Sequence, residues 1–351
     1  MSEKDPILLI LTPGFPANEA DSNCLPAQQQ LLMALNLVEP ALKIHILSFQ
    51  YPYKQSTYQW KGNTVTAIGG RNKKRIHRLY TWLKVWRQMN RISKNNKVST
   101  VFCFWYGECS LIGKLFAKKH RLPFYAWILG QDALPGNKYC KWNKPQPNEL
   151  LSVSDAVTDQ FFRNYHVKPA HLLPNAILPA TFQAAPVEKD IAIMGAGSLI
   201  PLKQYHLFIE VVGRLQKLIP GIRAVLCGEG ECMDELRKQI SKAGLEQHII
   251  LEGSLSHSNT LALMQRSKIF LHPSSYEGFS GACLEALYAG AHVISFCQPM
   301  HGWIKQWHIV SDTTEMTDLA FTILGSKTTT YQSVLPYNML DNAKKLCALF
   351  S

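Results

Sequence analysis

Apolar and polar positions along this chain alternate between two periods. Short, nearly continuous apolar runs at Ile7–Leu11, Ile44–Phe49, Val65–Ile68, Val101–Trp105, Phe124–Ile128 and Leu150–Val153 predict buried strands, with helical spacings between most of them. Strand and helix in alternation predict a mostly parallel sheet with helices on both faces. The pattern breaks near Pro174-Asn175. The proline-bearing, aperiodic stretch Ala176–Asp190 then predicts an interdomain linker. A second series follows: strands at Ile191–Met194, Arg223–Cys227, Ile249–Leu251, Lys268–Leu271 and Ala291–Phe296, with helices at Lys203–Leu218, Met233–Ala243, near Leu261 and from about Ser280. Tyr337–Phe350, after Pro336, predicts a closing helix. The expected fold class is α/β, with two doubly wound Rossmann-like domains over residues 1–180 and 190–330. Domains of this kind bind ligands at the carboxyl ends of their strands, here expected across a shared cleft. At 351 residues the chain is long enough to bury two cores.

Charge sharpens this picture in one place. The formal net charge is +12, yet Pro40–Gly107 contains no Asp or Glu and 13 Lys and Arg, so the remainder is about neutral. Ten of the 13 lie between Arg71 and Lys97, where Ile76, Leu79, Leu83, Trp86 and Met89 step by three and four, flanked by Trp82 and Val85. Such a helix either packs its stripe on the domain's own sheet or lies in an anionic membrane interface, with Arg78, Lys84 and Arg87 toward the lipid. Nucleic acid ranks last, since no nucleic-acid motif accompanies the basic run. The nine cysteines form no C-x-x-C pair or zinc spacing and fit buried reduced thiols. The N-terminal run of apolar residues is too short for a signal peptide or a span. A cytoplasmic protein, peripheral at the inner face of a membrane, is the expectation.

The chemistry concentrates in His272–Ile294, HPSSYEGFSGACLEALYAGAHVI. Glu277 falls in a turn after a strand, and Glu285, eight residues on, in the helix that begins near Ser280. Free N–H groups and the helix dipole converge at such a terminus and bind anions. Carboxylates beside it can accept hydrogen bonds from sugar hydroxyls. Pro273, Ser274, Glu277, Gly278, Phe279, Leu284, Glu285, Ala286, Ala289 and Gly290 together resemble the E-x7-E signature of retaining glycosyltransferases of the GT-B fold, family 4.

That resemblance implies a GT-B architecture whose C-terminal domain binds a nucleotide sugar and whose N-terminal domain binds the acceptor, with the last helix (337–351) crossing back to the first domain. It implies that Glu277 bonds the transferred sugar, that Glu285 bonds the ribose, and that amides at Phe279, Ser280, Gly281 and Ala282 hold the diphosphate. Gly195–Lys203 resembles the family's GRL-x-x-x-KG segment; Lys203 matches the diphosphate-binding Lys, while Ser198 stands where Arg is usual and Gln204 where Gly is usual. Arg266 is a candidate substitute cation by fold position. Gly228-Glu229-Gly230 and the turn at Leu255 resemble segments near ribose and base, and Gly14 the glycine of the first loop. On the acceptor side Gln131 and Asp132 end one strand and Trp105 and Tyr106 another, with Asp132 a candidate catalytic group.

The expected partners are a nucleotide-diphosphate sugar, a glycan or lipid-linked glycan acceptor and an anionic membrane surface, with no nucleic acid, metal or cofactor. Rival classes lack their motifs: there is no G-x-G-x-x-G after the first strand, no D-x-D and no Gly-x-Ser-x-Gly. A nucleotide-sugar epimerase shares the architecture and stays open. So does a catalytically weakened homologue serving as a membrane-associated glycan-assembly subunit, which Ser198 motivates.

Overall fold

The computed structural model describes residues 6–73, 76–182 and 187–350; Lys74 and Arg75 of the basic run, part of the expected linker and the first five residues lie outside them. The chain divides into two compact units, Met1–Asn175 with Met339–Ser351, and Ala176–Asn338. The first runs β1 (Pro6–Gly14), α1 (Pro26–Val38), β2 (Lys43–Tyr51), β3 (Ser56–Trp60), β4 (Asn63–Ala67), α2 (Ile76–Asn95), β5 (Lys97–Phe104), α3 (Glu108–His120), β6 (Phe124–Ile128), α4 (Lys138–Asn143), β7 (Leu150–Ser152), α5 (Asp155–Tyr165) and β8 (His171–Leu172). The second runs β9 (Ile191–Ala196), α6 (Tyr205–Leu218), β10 (Ala224–Cys227), α7 (Met233–Lys242), β11 (Ile249–Gly253), α8 (His257–Gln265), β12 (Ser267–His272), α9 (Gly281–Tyr288), β13 (His292–Ser295), β14 (Trp307–Ile309) and α10 (Thr313–Gly325). The closing helix α11 (Met339–Phe350) returns to the first unit. There Asn342 donates its side-chain amide to Pro174 O at 2.6 Å, and Phe350 meets Phe102 and Tyr125.

The first sheet has eight strands in the order β3-β4-β2-β1-β5-β6-β7-β8. All pair in parallel except β3, an antiparallel edge strand on β4. The second has six parallel strands, β11-β10-β9-β12-β13-β14. Strand order reverses beside β9, between β10 and β12, so the crevice at their carboxyl ends is the topological switch point. The residues predicted to carry donor chemistry follow these strands. Under the sheet, α6 sets Phe208, Val211, Val212 and Leu215 against Ile193, Leu226, Ile269 and Leu271, all fully or nearly fully buried. A parallel sheet covered on both faces requires this continuous apolar filling.

The expected stripe of α2 is corrected by the structure. Thr81, Val85, Met89 and Ile92 form its buried face, while Ile76, Leu79 and Leu83 are 74%, 54% and 55% exposed and Tyr80 lies exposed beside them. Arg78 also departs from expectation. Its guanidinium Nε lies 3.7 Å from Glu108, whose carboxylate accepts from Trp82 Nε1 at 2.8 Å and Gln50 Nε2 at 2.6 Å, so Arg78 turns toward its own unit. No described helix is long and apolar enough to cross a membrane.

In the stretch expected to be a linker, Lys189 is anchored in the second unit. Its ammonium donates to the carbonyl oxygens of Gln265 at 3.0 Å, Ser267 at 2.8 Å and Ala289 at 3.1 Å. It thus caps the negative ends of α8 and α9 together.

Candidate active site

Two loops build the site. After β9 the chain makes a short turn of 3-10 helix (Pro201–Lys203) before α6, and after β12 it turns through Pro273–Ser280 into α9. The loops are stitched together: Leu202 O accepts the N–H of Ser275 at 3.0 Å, and the Ser274 hydroxyl lies 3.2 Å from the same oxygen. The PS of the motif therefore holds the lysine loop against the glutamate turn. Lys203 Nζ donates to Glu277 Oε1, and His272 Nε2 meets the same oxygen at 2.8 Å. An ionised carboxylate only accepts, so the imidazole carries its proton on Nε2. Burial alone would raise the Glu277 carboxyl, but His272 and Lys203 outweigh it and hold the group down to about 2.

Behind this pair lie two buried polar atoms, Tyr205 Oη and His272 Nδ1, that have no hydrogen-bond partner among the described residues. His272 is 2% exposed and stacks on Phe270. α9 starts at Gly281 with Ser280 as its cap, the serine hydroxyl accepting from Cys283 N at 3.3 Å, and no acidic residue sits in its first turn. The dipole makes this end of α9 positive. One turn further on, Glu285 is 7% exposed, and its Oε1 accepts from His257 Nε2 at 2.7 Å. Burial opposes a charge on His257, but Glu285 overcomes it and raises the imidazole above its ordinary range.

Gly228 and Gly230 have a steric reason as well as an expected ligand role. The loops after β9 and β10 are joined by Gly197 N–H to Cys227 O at 3.0 Å, Leu199 N–H to Glu229 O at 2.8 Å and Cys232 N–H to Leu199 O at 2.9 Å. A Cβ at Gly228 would lie 1.9 Å from Gly197 O, and one at Gly230 would lie 2.3 Å from Leu199 O. Gly14 differs: a Cβ there meets Tyr51 Cβ at an ordinary 3.6 Å. Leu255 is half-buried in the turn between β11 and α8.

Residues 180–304 match the description "Glycosyl transferases group 1". The matched stretch lies within the second unit. Curated relatives include the gpi3 subunit of phosphatidylinositol N-acetylglucosaminyltransferase from Schizosaccharomyces pombe, 29% identical over 45% of this chain and 36% of that protein. A second is a 4-alpha-N-acetylgalactosaminyltransferase acting on an N-acetylgalactosamine-N,N'-diacetylbacillosaminyl-diphospho-undecaprenol in Campylobacter jejuni, 25% identical over 58% of this chain and 59% of its own length. The chain thus spans less than two thirds of each of these relatives. Among solved structures, HepE of Anabaena in complex with UDP and glucose covers 97% of this chain and 95% of its own at TM-score 0.66 and 14% identity. Sucrose-phosphate synthase of Thermosynechococcus elongatus covers 99% and 95% at TM-score 0.69 and 14% identity. The fold is GT-B.

Within the matched stretch, one departure from the usual family pattern has a local explanation. Gln204, where glycine is usual, adopts the left-handed conformation that position demands, with φ +50°. Ser198, where arginine is usual, is exposed. Arg266 does not replace that arginine. It forms a two-point pair with Asp190 (2.8 and 2.6 Å) before β12 begins, at the end of the strand opposite Glu277 and about 20 Å of extended chain away.

In the first unit the structure assigns Asp132 a different task from the catalytic one expected. Its carboxylate is buried and accepts the N–H groups of Tyr106 at 2.7 Å, Leu129 at 3.0 Å and Gly130 at 2.8 Å. Burial raises its carboxyl and these amides oppose the rise. Asp132 ties together the loops after β5 and β6, and its acceptor capacity is used in doing so. Tyr106, fully buried, cannot line an acceptor surface. Trp105 is half-buried in a left-handed conformation with φ +66°, and Gln131 is exposed; both stand at carboxyl ends of strands, as expected.

His257 and His272 were not legible as site residues. His272 carried one signal, its position as the last residue of a strand directly before the motif proline. His257 carried none, because its partner lies 28 positions away.

Proposed function

We propose that this chain is a retaining, metal-independent glycosyltransferase that moves a hexose from a nucleotide-diphosphate sugar to a growing, lipid-linked surface glycan. The observation that carries the reading is the Lys203–Glu277–His272 cluster at the positive end of α9. Amides at Phe279–Ala282 and the α9 dipole hold the diphosphate, and Lys203 turns from Glu277 to the leaving phosphate as its charge develops. Glu277, still bonded by His272, then accepts from hydroxyls of the transferred sugar, while Glu285 accepts from the ribose. Lysine and backbone dipoles suffice to neutralise the leaving group. In the family that the sequence resembles, the acceptor attacks from the leaving-group side and a phosphate oxygen takes its proton, and the same route is proposed here. The relatives that act on phosphatidylinositol and on a diphospho-undecaprenol glycan support a lipid-linked acceptor, and the HepE complex supports UDP as the carrier.

The test is release of nucleoside diphosphate from a panel of UDP-hexoses and UDP-N-acetylhexosamines, with and without polyprenyl-diphosphate glycans. Acceptor-dependent release with retained anomeric configuration is expected. A second reading, a weakened homologue working as an assembly subunit, is favoured by exposed Ser198 and by Arg266 being held elsewhere; binding of UDP without turnover would select it.

The exposed apolar turn of α2 supports peripheral membrane attachment. With Arg78 turned inward, Lys84, Arg87 and Arg91 remain to meet lipid headgroups. Each basic residue near the surface contributes about 1 kcal/mol, so replacing these with Gln should weaken binding to phosphatidylserine-containing vesicles roughly a hundredfold at low salt. Binding that persists at the same ionic strength would remove α2 from the interface.

A further inference from the structure

The proposed donor site gives Glu285 its ribose-binding role but leaves unexplained what aims it. The carboxylate emerges from the second turn of α9 and is nearly buried, so its orientation has to be set by a protein group. His257 does this from a different element. It is the first residue of α8, fixed in place because the cap residue Ser256 accepts the Asn259 N–H at 3.2 Å, and its Nε2 stands 2.7 Å from Glu285 Oε1. Because the ionised carboxylate only accepts, Nε2 must carry the proton, and the imidazole is a donor whatever its charge. Each carboxylate oxygen has two lone pairs, so Glu285 can keep this bond and still accept from a ligand hydroxyl. The cost of a mispointed buried carboxylate is large, because hydrogen bonds to charged groups are about twice as strong as neutral ones.

We infer that His257 is the positioning residue for ribose recognition: it orients Glu285 toward the vicinal hydroxyls and so makes the site selective for ribo- over deoxyribonucleotides. The inference rests on the donor-site reading above and adds a residue and a selectivity to it. His257 itself touches no reacting atom. Its effect is therefore expected only on ligands that present the hydroxyls.

The test measures binding of UDP and of 2′,3′-dideoxy-UDP by calorimetry to the wild type, His257→Ala and His257→Gln, with GDP and ADP and their dideoxy forms used if UDP is silent. Loss of a hydrogen bond to a charged group predicts that His257→Ala weakens UDP about tenfold or more, while dideoxy-UDP binding moves less than about twofold. His257→Gln, which keeps an N–H donor of similar reach, should restore most of the UDP affinity. Should the alanine variant fold poorly, His257→Asn, compatible with a helix start but too short to reach Glu285, should show the same selective loss. Equal losses for the ribo and dideoxy ligands, or no loss for either, would overturn the inference while leaving the donor site intact. Failure of the wild type to bind any of the three diphosphates would instead sink the donor-site reading itself, and this inference with it.

Discussion

Glu277→Gln is expected to lower sugar transfer about a hundredfold or more while nucleoside-diphosphate affinity changes by less than about threefold. Gln keeps the size of the side chain but removes the charge that both Lys203 and His272 meet. The sugar hydroxyls then lose a charged acceptor at the point where the glycosidic bond breaks, whereas the diphosphate keeps the α9 terminus and gains an unpaired Lys203. A KM-driven loss with kcat unchanged would place Glu277 in simple donor binding. The same variant should alter acid stability, with a definite sign. The folded protein holds the Glu277 carboxyl down to about 2 from an ordinary 4.5. Its contribution is therefore fully present above about pH 4.5 and is lost as pH falls toward 2, an amount on the order of 3 kcal/mol. Chemical unfolding of the second unit between these limits should be steeper in pH for the wild type than for Glu277→Gln. Parallel curves would contradict the buried pairing.

Gly228→Ala should be among the most damaging substitutions in the chain. It places a Cβ 1.9 Å from Gly197 O, a backbone atom, and forces an L-residue to φ +144°. Overpacking and backbone strain each cost about 1–3 kcal/mol, which together lower Tm by roughly 5–20 °C for a unit of this size. Gly302→Ala is the matched control, since nothing lies within 4 Å of its added Cβ and its φ is ordinary; its Tm should move by no more than about 2 °C. Thermal unfolding of both variants decides it. A mild Gly228→Ala would mean that the β9 and β10 loops part easily and are not the fixed cradle described.

What the sequence disclosed follows from how each feature is encoded. Phe124–Ile128 and the apolar stretches at Ile44–Phe49 and Ile191–Met194 were visible because buried parallel strands write themselves as unbroken apolar runs. β3, with the polar sequence STYQW, was not, because an exposed antiparallel edge carries no such run. The helix α10 was missed, its first turn being threonine-rich and polar. Lys203, Glu277 and Glu285 were reached through motifs, and the packing of the loops after β9 and β12 brings Lys203 onto Glu277. The partners of Glu285 and the task of Asp132 are tertiary facts, set by loops from separate strands, and no spacing encodes them. The two readings of α2 stayed open on sequence for a related reason. Periodicity locates an apolar stripe but does not say whether that stripe meets a sheet or remains outside.

Lys189 alters how this protein could be cut or grafted. A segment that looked like a passive tether supplies the ammonium clasping the rear ends of the two helices that carry His257, at the start of α8, and Glu285, in the second turn of α9. Chimeras that exchange the second unit should therefore join upstream of Lys189. A junction placed after it would leave three carbonyls without their shared cation and loosen the footing of both helices from behind, with every motif residue still in place.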